Sequence, residues 1–178
     1  ETGVAGSFAL NYSTTRSEAL LLCGAKIDAG AGDVQLTSQN SSDARVEARA
    51  KAESGETGAG ISLGLNILGN SASRAVIAND ATLTGGTNVT LSASGSHDVS
   101  TLAEGGGKAG ADTGVGGALA ITVATHNDTE ASIGAGAGLD IKGDLSAQAD
   151  HHGSSSTVAD GKAAGADAAV GVALALSF

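Results

Sequence analysis

The sequence lacks the bulky residues from which most globular cores are built. Among its 178 residues there is no proline, methionine or tryptophan, and there are only one tyrosine and two phenylalanines. Aromatic side chains normally supply much of the area buried in a core. With 28 glycines and abundant alanine, serine and threonine, the composition favours a thin core that repeats along an axis.

Basic residues are also scarce. The chain has 9 lysines and arginines against 19 acidic residues, which gives a formal net charge of −10. Nucleic acids and anionic membrane surfaces both bind clustered cations, so the charge argues against either as a partner. The acidity is typical of a surface that keeps like molecules apart.

Cysteine and long apolar runs are nearly absent. Cys23 is the only cysteine, so no intrachain disulfide can form. It follows three leucines in ALLLCGA, and we expect it to be a small buried residue, since a reactive thiol needs basic neighbours. No apolar run approaches the roughly 18 residues of a membrane helix, and no signal peptide is visible.

What the sequence does contain is an internal repeat. Four similar stretches recur about every 55–56 residues, a period typical of repeat architectures. They are GVAGSFALNY from Gly3, GAGISLGLNI from Gly58, GVGGALAITV from Gly114 and AVGVALALSF from Ala169. We therefore treat residues 1–178 as one solenoid segment, with repeats 3–57, 58–113 and 114–168 and a partial fourth repeat at 169–178.

Bulky and small residues alternate within each copy, which is the two-residue period of a β-strand. The bulky positions are Phe8, Leu10, Tyr12, Leu63, Leu65, Ile67, Leu119, Ile121, Val123, Leu174, Leu176 and Phe178. We expect this bulky face to fill the core, so that Leu119→Asp destabilises strongly by burying an unpaired charge. The pattern leaves open whether the alanine and glycine face meets water, a second layer of strands or another molecule.

The segment DARVEARAKAE, residues 43–53, contains good helix formers. Its counterparts in the other copies do not, and its own apolar residues alternate, so the repeat favours a strand there. Glycine-centred turns separate the strands, since glycine accepts a positive φ at little cost. The turn glycines are Gly30, Gly32, Gly85, Gly86 and Gly143.

Short strands with glycine turns at a fixed period predict an all-β fold, a parallel β-helix or β-solenoid of about three repeats. We expect a right-handed helix with two or three coils per repeat and a rod very roughly 30–45 Å long. Neither end has the polar cap that solenoids need to protect their strand edges. The chain is therefore expected to be a fragment of a longer array whose neighbouring repeats are its first partners.

Units such as ASIGAGAGLDIKGDLSAQAD, followed by a glycine and alanine run and AVGVALAL, resemble the repeats of giant secreted bacterial surface proteins. These are the filamentous-haemagglutinin-like adhesins and related exoproteins, and the resemblance covers essentially the whole chain. It implies secretion to the cell surface, a long parallel β-helix shaft, and roles in attachment, aggregation or biofilm. It carries no catalytic residue onto this chain.

The candidate sites have simpler structural explanations. The four histidines are His97, His126, His151 and His152. A weak metal site at His97, His151 and His152 with Asp98 and Asp150 stays open, but polar loop residues are the expected interpretation, because a site needs three or four convergent ligands. We assign no metal-binding residue.

The sequence does not predict a calcium site either. The segment GAGAGLDIK, residues 134–142, matches the calcium-binding nonapeptide in a single degenerate copy, whereas that motif works by tandem repetition. Asp33, Asn88 and Asp144 recur before corresponding strands and are expected to bond their own backbone in turns.

No catalytic arrangement stands out either. There is no G-x-S-x-G elbow and no phosphate-binding loop, so we expect no enzyme activity, no cofactor and no catalytic or cofactor-binding residue. The sequence predicts a structural shaft or adhesive segment of an extracellular or cell-surface bacterial adhesin. The alternative is a module that binds a host-cell receptor or extracellular polysaccharide through polar rung surfaces. An outer-membrane β-barrel fragment is disfavoured, because three aromatics cannot build the girdles of such a barrel.

Overall fold

A computed structural model describes all residues from Glu1 to Phe178, and it consists of strands and turns without any helix. The eleven strands are β1 (Thr2–Ser13), β2 (Arg16–Leu21), β3 (Lys26–Asp28), β4 (Val34–Ser54), β5 (Thr57–Ile77), β6 (Thr82–Thr84), β7 (Val89–Ala109), β8 (Thr113–Ile133), β9 (Gly138–Asp140), β10 (Leu145–Ala164) and β11 (Ala168–Ser177).

The strands form three parallel sheets that wind into a β-solenoid, as the repeat predicts. The first broad sheet contains β1, β2, β5, β8 and β11, and the second broad sheet contains β4, β7 and β10. A narrow sheet of β3, β6 and β9 joins them along one side. Residues 43–53 lie within β4 and are a strand, which confirms that prediction.

Each repeat forms one coil of the solenoid. Gly3 pairs with Gly58 and Gly58 with Gly114, so a rung lies beside its counterpart from the next repeat. The prediction of two or three coils per repeat was wrong. Strands β4, β5, β7 and β8 are each 21 residues long, so two such strands account for most of one repeat. At about 3.3 Å per residue and 4.8 Å per rung, the molecule is roughly 70 Å wide and only about 15 Å tall.

The bulky face of the first broad sheet points outward, so the predicted core face is wrong. Along β5 the buried residues include Gly58, Gly60 and Ser62, whereas Ile61 is 61% exposed. The predicted core residues Leu65, Ile67, Leu119, Ile121 and Val123 all lie on the outward face and are only half-buried. Leu119→Asp would therefore place its carboxylate at the surface, and the strong destabilisation expected of it does not follow.

The alanine and glycine face meets the second broad sheet at backbone distance. A Cβ atom added at Gly60 would overlap the carbonyl oxygen of Gly106 on the facing sheet. A Cβ at Gly105 would overlap the carbonyl oxygen of Gly117 in the same way. Only glycine can occupy these strand positions, because the facing backbone fills the space that any side chain needs.

The interior widens away from this contact, toward the narrow sheet. The largest apolar cluster lies there and contains the aliphatic residues that the glycine-lined part excludes. Its buried members are Leu21, Ala75, Ile77, Ala81, Leu83, Val89, Leu91 and Ala93. The coil therefore has a wedge-shaped cross-section, thin at the turn between the broad sheets and thick at the narrow sheet.

Polar side chains bridge the two broad sheets in the middle of the wedge. The side-chain amide of Asn66, which is fully buried, donates to the carbonyl oxygens of Ala44 at 2.8 Å and Ser100 at 3.1 Å. Asn11 donates in turn to Asn66 Oδ1 at 2.9 Å. Buried amides with satisfied hydrogen bonds fix one pairing of strands, since any slip would leave them without partners.

Cys23 is exposed, which corrects the expectation that it is buried. Strand β2 ends at Leu21, and the following residues turn through Gly24, whose φ is +68°. Leu22 is carried outward with Cys23 and is 64% exposed. The run of leucines therefore marks the end of a strand rather than a continuous buried segment.

Two adjacent glycines of β7 test the close contact between the broad sheets. Gly105→Ala should destabilise the protein by about 3 kcal/mol or more, because its methyl group collides with backbone that no rotamer can relieve. Gly106→Ala should change the free energy of unfolding by less than about 1 kcal/mol, since its Cβ would meet no atom closer than 3.7 Å. Urea denaturation of both variants measures the difference, and equal stabilities would contradict the contact.

Candidate functional site

The histidines singled out from the sequence lie on different surfaces. His97 and His151 point into the solenoid from β7 and β10, whereas His152 lies on the outer face of the second broad sheet. His126 is exposed on the first broad sheet. Because side chains alternate along a strand, residues 151 and 152 cannot share a face.

Asp98 and Asp150 belong to the outer face and do not join the two inner histidines. Asp98 is exposed and accepts a hydrogen bond from Ser154. No group of three or more histidine, cysteine, aspartate or glutamate side chains is placed to hold a metal ion anywhere in the chain. The structure therefore separates the residues from which a surface metal site was conceivable.

The buried His97 pairs instead with His151, which is exposed on the next rung. Their ring centroids lie 5.7 Å apart, with the planes tilted by 44°. Nδ1 of His97 is 2.8 Å from Ser42 Oγ, and Nδ1 of His151 is 3.0 Å from Thr129 Oγ1. The pair is diagonal, because His97 lies opposite Gly153 and His151 opposite Gly95 in the ladder.

The far side of the His97 ring has no partner. Its side chain is 2% exposed, and Nε2 is buried without a hydrogen bond. Burial lowers the pKa of His97, the neighbouring His151 lowers it further, and Asp98 partly opposes them. The arrangement favours a neutral imidazole, since a buried charge without a partner is costly.

The recurring turn residues Asp33, Asn88 and Asp144 form a ladder between rungs. Asp33 Oδ1 accepts from the backbone nitrogen of Asn88 at 3.0 Å, and Asn88 Oδ1 accepts from that of Asp144 at 3.1 Å. They were expected to bond their own backbone, but the side chains of Asp33 and Asn88 each bond the following repeat. The physical reason is that the turns stack directly at the spacing of one rung.

The GAGAGLDIK segment contains no cluster of acidic residues. It folds as a turn followed by β9, in which Asp140 pairs with Thr84 of the neighbouring rung. A calcium site built from tandem aspartates has no counterpart in this geometry.

A lysine trough crosses the outer face of the second broad sheet. Gly106 lies between Lys51 and Lys162 on the neighbouring strands, so the missing side chain leaves a depression between two cations. Lys108 also lines this depression, whose volume is about 500 Å³. Sequence reasoning missed it because the three lysines are far apart in the chain and meet only when the rungs stack.

Carboxylates share the lysine trough. Lys162 is 2.5 Å from Asp160, which raises the pKa of the lysine, and Arg49 is 3.4 Å from Glu104. Lys51 and Lys108 form no ion pair. Three carboxylates, Glu53, Glu104 and Asp160, line the lysine trough beside the three lysines. The two lysines without an ion pair make the trough the candidate site for a ligand with spaced negative charges.

A second unusual surface is the outer apolar face of the first broad sheet. It consists of five outward positions on each of four rungs, and none carries a charged side chain. The positions are Val4, Gly6, Phe8, Leu10, Tyr12, Ala59, Ile61, Leu63, Leu65, Ile67, Val115, Gly117, Leu119, Ile121, Val123, Val170, Val172, Leu174, Leu176 and Phe178. The sequence pattern identified the twelve positions from the middle to the end of each stretch, such as Phe8, Leu63 and Leu119, but assigned them to the interior.

Comparison of the chain with protein-family models, with curated proteins and with solved structures found no significant match. None of its segments forms a helix long and apolar enough to cross a membrane.

The buried histidine gives a specific pH dependence. Because the pKa of His97 is lowered on folding, the unfolded chain binds that proton more tightly, and stability falls as pH drops below about 6.5. His97→Gln should flatten this decline between about pH 6.5 and 5, measured as the urea midpoint at each pH. The matched control is His152→Gln on the outer face, which should retain the slope of the parent, and an unchanged slope in His97→Gln would contradict the assignment.

Proposed function

We propose that the chain is a non-catalytic structural segment, part of the shaft of a large adhesin that is secreted or displayed at a bacterial cell surface. The observation that carries the proposal is the register of the coils. Each 55- or 56-residue repeat forms one rung on its neighbour, so the same cross-section can be repeated along an axis. A solenoid of this kind gains length by adding repeats that contact only their neighbours.

The distribution of residues supports a mechanical role. The interior is closed by glycine contacts at one end and by aliphatic packing at the other, and the buried amides hold the rungs in register. The resemblance of the repeat units to filamentous-haemagglutinin-like adhesins supports the same role and an extracellular location.

Immunolabelling tests the proposed location and role. Antibodies raised against the folded chain should label intact cells of the bacterium that encodes it, because a shaft segment is exposed along its length. The control is an antibody to a cytoplasmic protein, which should label only permeabilised cells. Labelling of this chain that also requires permeabilisation would contradict the proposal.

The lysine trough favours one alternative, a module that binds extracellular polysaccharide or a host-cell receptor bearing negative charges. Carboxylate or sulfate groups spaced along a polymer could bridge Lys51, Lys108 and Lys162, which lie on three different rungs. Such contacts are weakened by salt, because exposed charges are screened.

The two functions differ in what the purified chain binds. Under the alternative, the chain binds an acidic polysaccharide such as heparin at low salt, and Lys51→Gln with Lys162→Gln weakens binding by about tenfold, the equivalent of about 1.4 kcal/mol. The matched control replaces Lys26 and Lys142, which lie outside the lysine trough. A passive shaft segment shows no retention, and retention lost equally in both double variants would contradict the trough as the site.

A further inference from the structure

The outer apolar face is larger than an isolated soluble surface normally carries. Five alternating positions extend about 30 Å along the strands, and four rungs extend about 15–20 Å across them, which is roughly 500 Å² in plan. Its most exposed side chains extend into solvent, since Val4 is 78%, Phe178 71% and Tyr12 66% exposed, and Ile61 is 61% exposed. Contiguous apolar patches of this size mark interaction sites.

The charges of the molecule lie away from this face. The outer face of the second broad sheet carries many of them, including the alternating Arg45, Glu47, Arg49, Lys51 and Glu53 of β4. On the first broad sheet, an ion-pair cluster around Arg74 borders the apolar face, with Asp128 Oδ2 2.9 Å from its Nε. An apolar centre with a polar border is the ordinary anatomy of a protein interface.

The face is also shaped to fit another copy of itself. Ile61 lies between Gly6 and Gly117 on the neighbouring rungs and leans over Gly117, so it forms a ridge with an open hollow on the Gly6 side. A Cβ atom at Gly6 would meet nothing within 4 Å. In a two-fold arrangement, Ile61 of each copy would enter a hollow of the other, as an isologous interface requires.

We propose that two copies of this chain pack through their outer apolar faces to form a four-layered dimer. Two broad sheets pack face to face about 10 Å apart, and the columns of side chains on both copies share the same spacing. The contact covers on the order of 1,000 Å² in total, the size at which specific interfaces begin. A second copy presents an uncharged face here and keeps its own charges on other surfaces, whereas anionic headgroups would repel the net charge of −10 directly.

Sedimentation equilibrium of the purified full chain tests the dimer. The parent protein should be dimeric at micromolar concentration, and Ile61→Lys should weaken the dimer by about a hundredfold or more, because each interface would bury two unpaired ammonium groups. The matched control is Val158→Lys on the outer face of the second broad sheet, where Val158 is 47% exposed. This control should leave the dissociation constant unchanged.

Three results would overturn the dimer. The first is a parent chain that is monomeric at high micromolar concentration. The second is a dimer that persists in Ile61→Lys, because this result would indicate pairing through the strand edges of the end rungs. The third is a monomeric parent that binds vesicles of neutral phosphatidylcholine, which would make lipid the occupant. If Ile61→Lys fails to fold by circular dichroism, Ile61→Thr keeps the β-branched shape and should weaken the dimer by about tenfold.

The dimer does not depend on the proposed adhesin role. Sedimentation uses only the purified chain, whereas the adhesin proposal is tested on whole cells. Either proposal can therefore fail while the other stands.

Discussion

The contact between the two broad sheets at backbone distance constrains the rest of the structure. At the thin end of the wedge, carbonyl groups of one sheet occupy the space where the facing sheet would otherwise place a side chain. Glycine must therefore recur on the inner face of both sheets, as at Gly58, Gly60, Gly105 and Gly107. Glycine at so many strand positions buries no side chain there, and each glycine loses more conformational entropy on folding than other residues do.

The close contact also explains why the apolar residues lie where they do. Most aliphatic side chains inside lie where the narrow sheet holds the broad sheets apart, around residues such as Leu83 and Leu91, and a smaller group lies at Leu68 and Val99. Elsewhere the bulky members of the alternating pattern must face outward, and they stack in columns across the rungs. The same constraint therefore produces the thin interior, the outer apolar face and the concentration of charge on the opposite surface.

Periodicity and repeat spacing were sufficient to predict strands, parallel stacking and the solenoid itself. Alternation identifies the two faces of a strand but not which of them is buried, because either choice satisfies a period of two. The usual preference for bulky residues in a core led to the wrong choice at Leu119 and Ile121. The contrary signal was present in Gly58, Gly60 and Gly64, since glycine recurring at one parity within a strand indicates a close backbone approach.

Other features depended on the path of the chain through space. The number of coils per repeat depends on how long the strands are. No local residue pattern showed that β4 continues for 21 residues without a turn. The ladder of Asp33, Asn88 and Asp144 and the pairing of His97 with His151 exist because neighbouring rungs stack. The lysine trough likewise joins Lys51, Lys108 and Lys162 across three repeats, and it needs Gly106 between two of them.

Thiol labelling at two neighbouring positions tests most directly which face of the first broad sheet is buried. In a Cys23→Ser background, Leu119→Cys places a thiol on the outward face, and Ala120→Cys places one at a position that is fully buried. At nanomolar concentration, where two copies are apart, a maleimide should modify Cys at position 119 rapidly and at position 120 only after unfolding. Rapid labelling at position 120 with protection at position 119 would contradict the account.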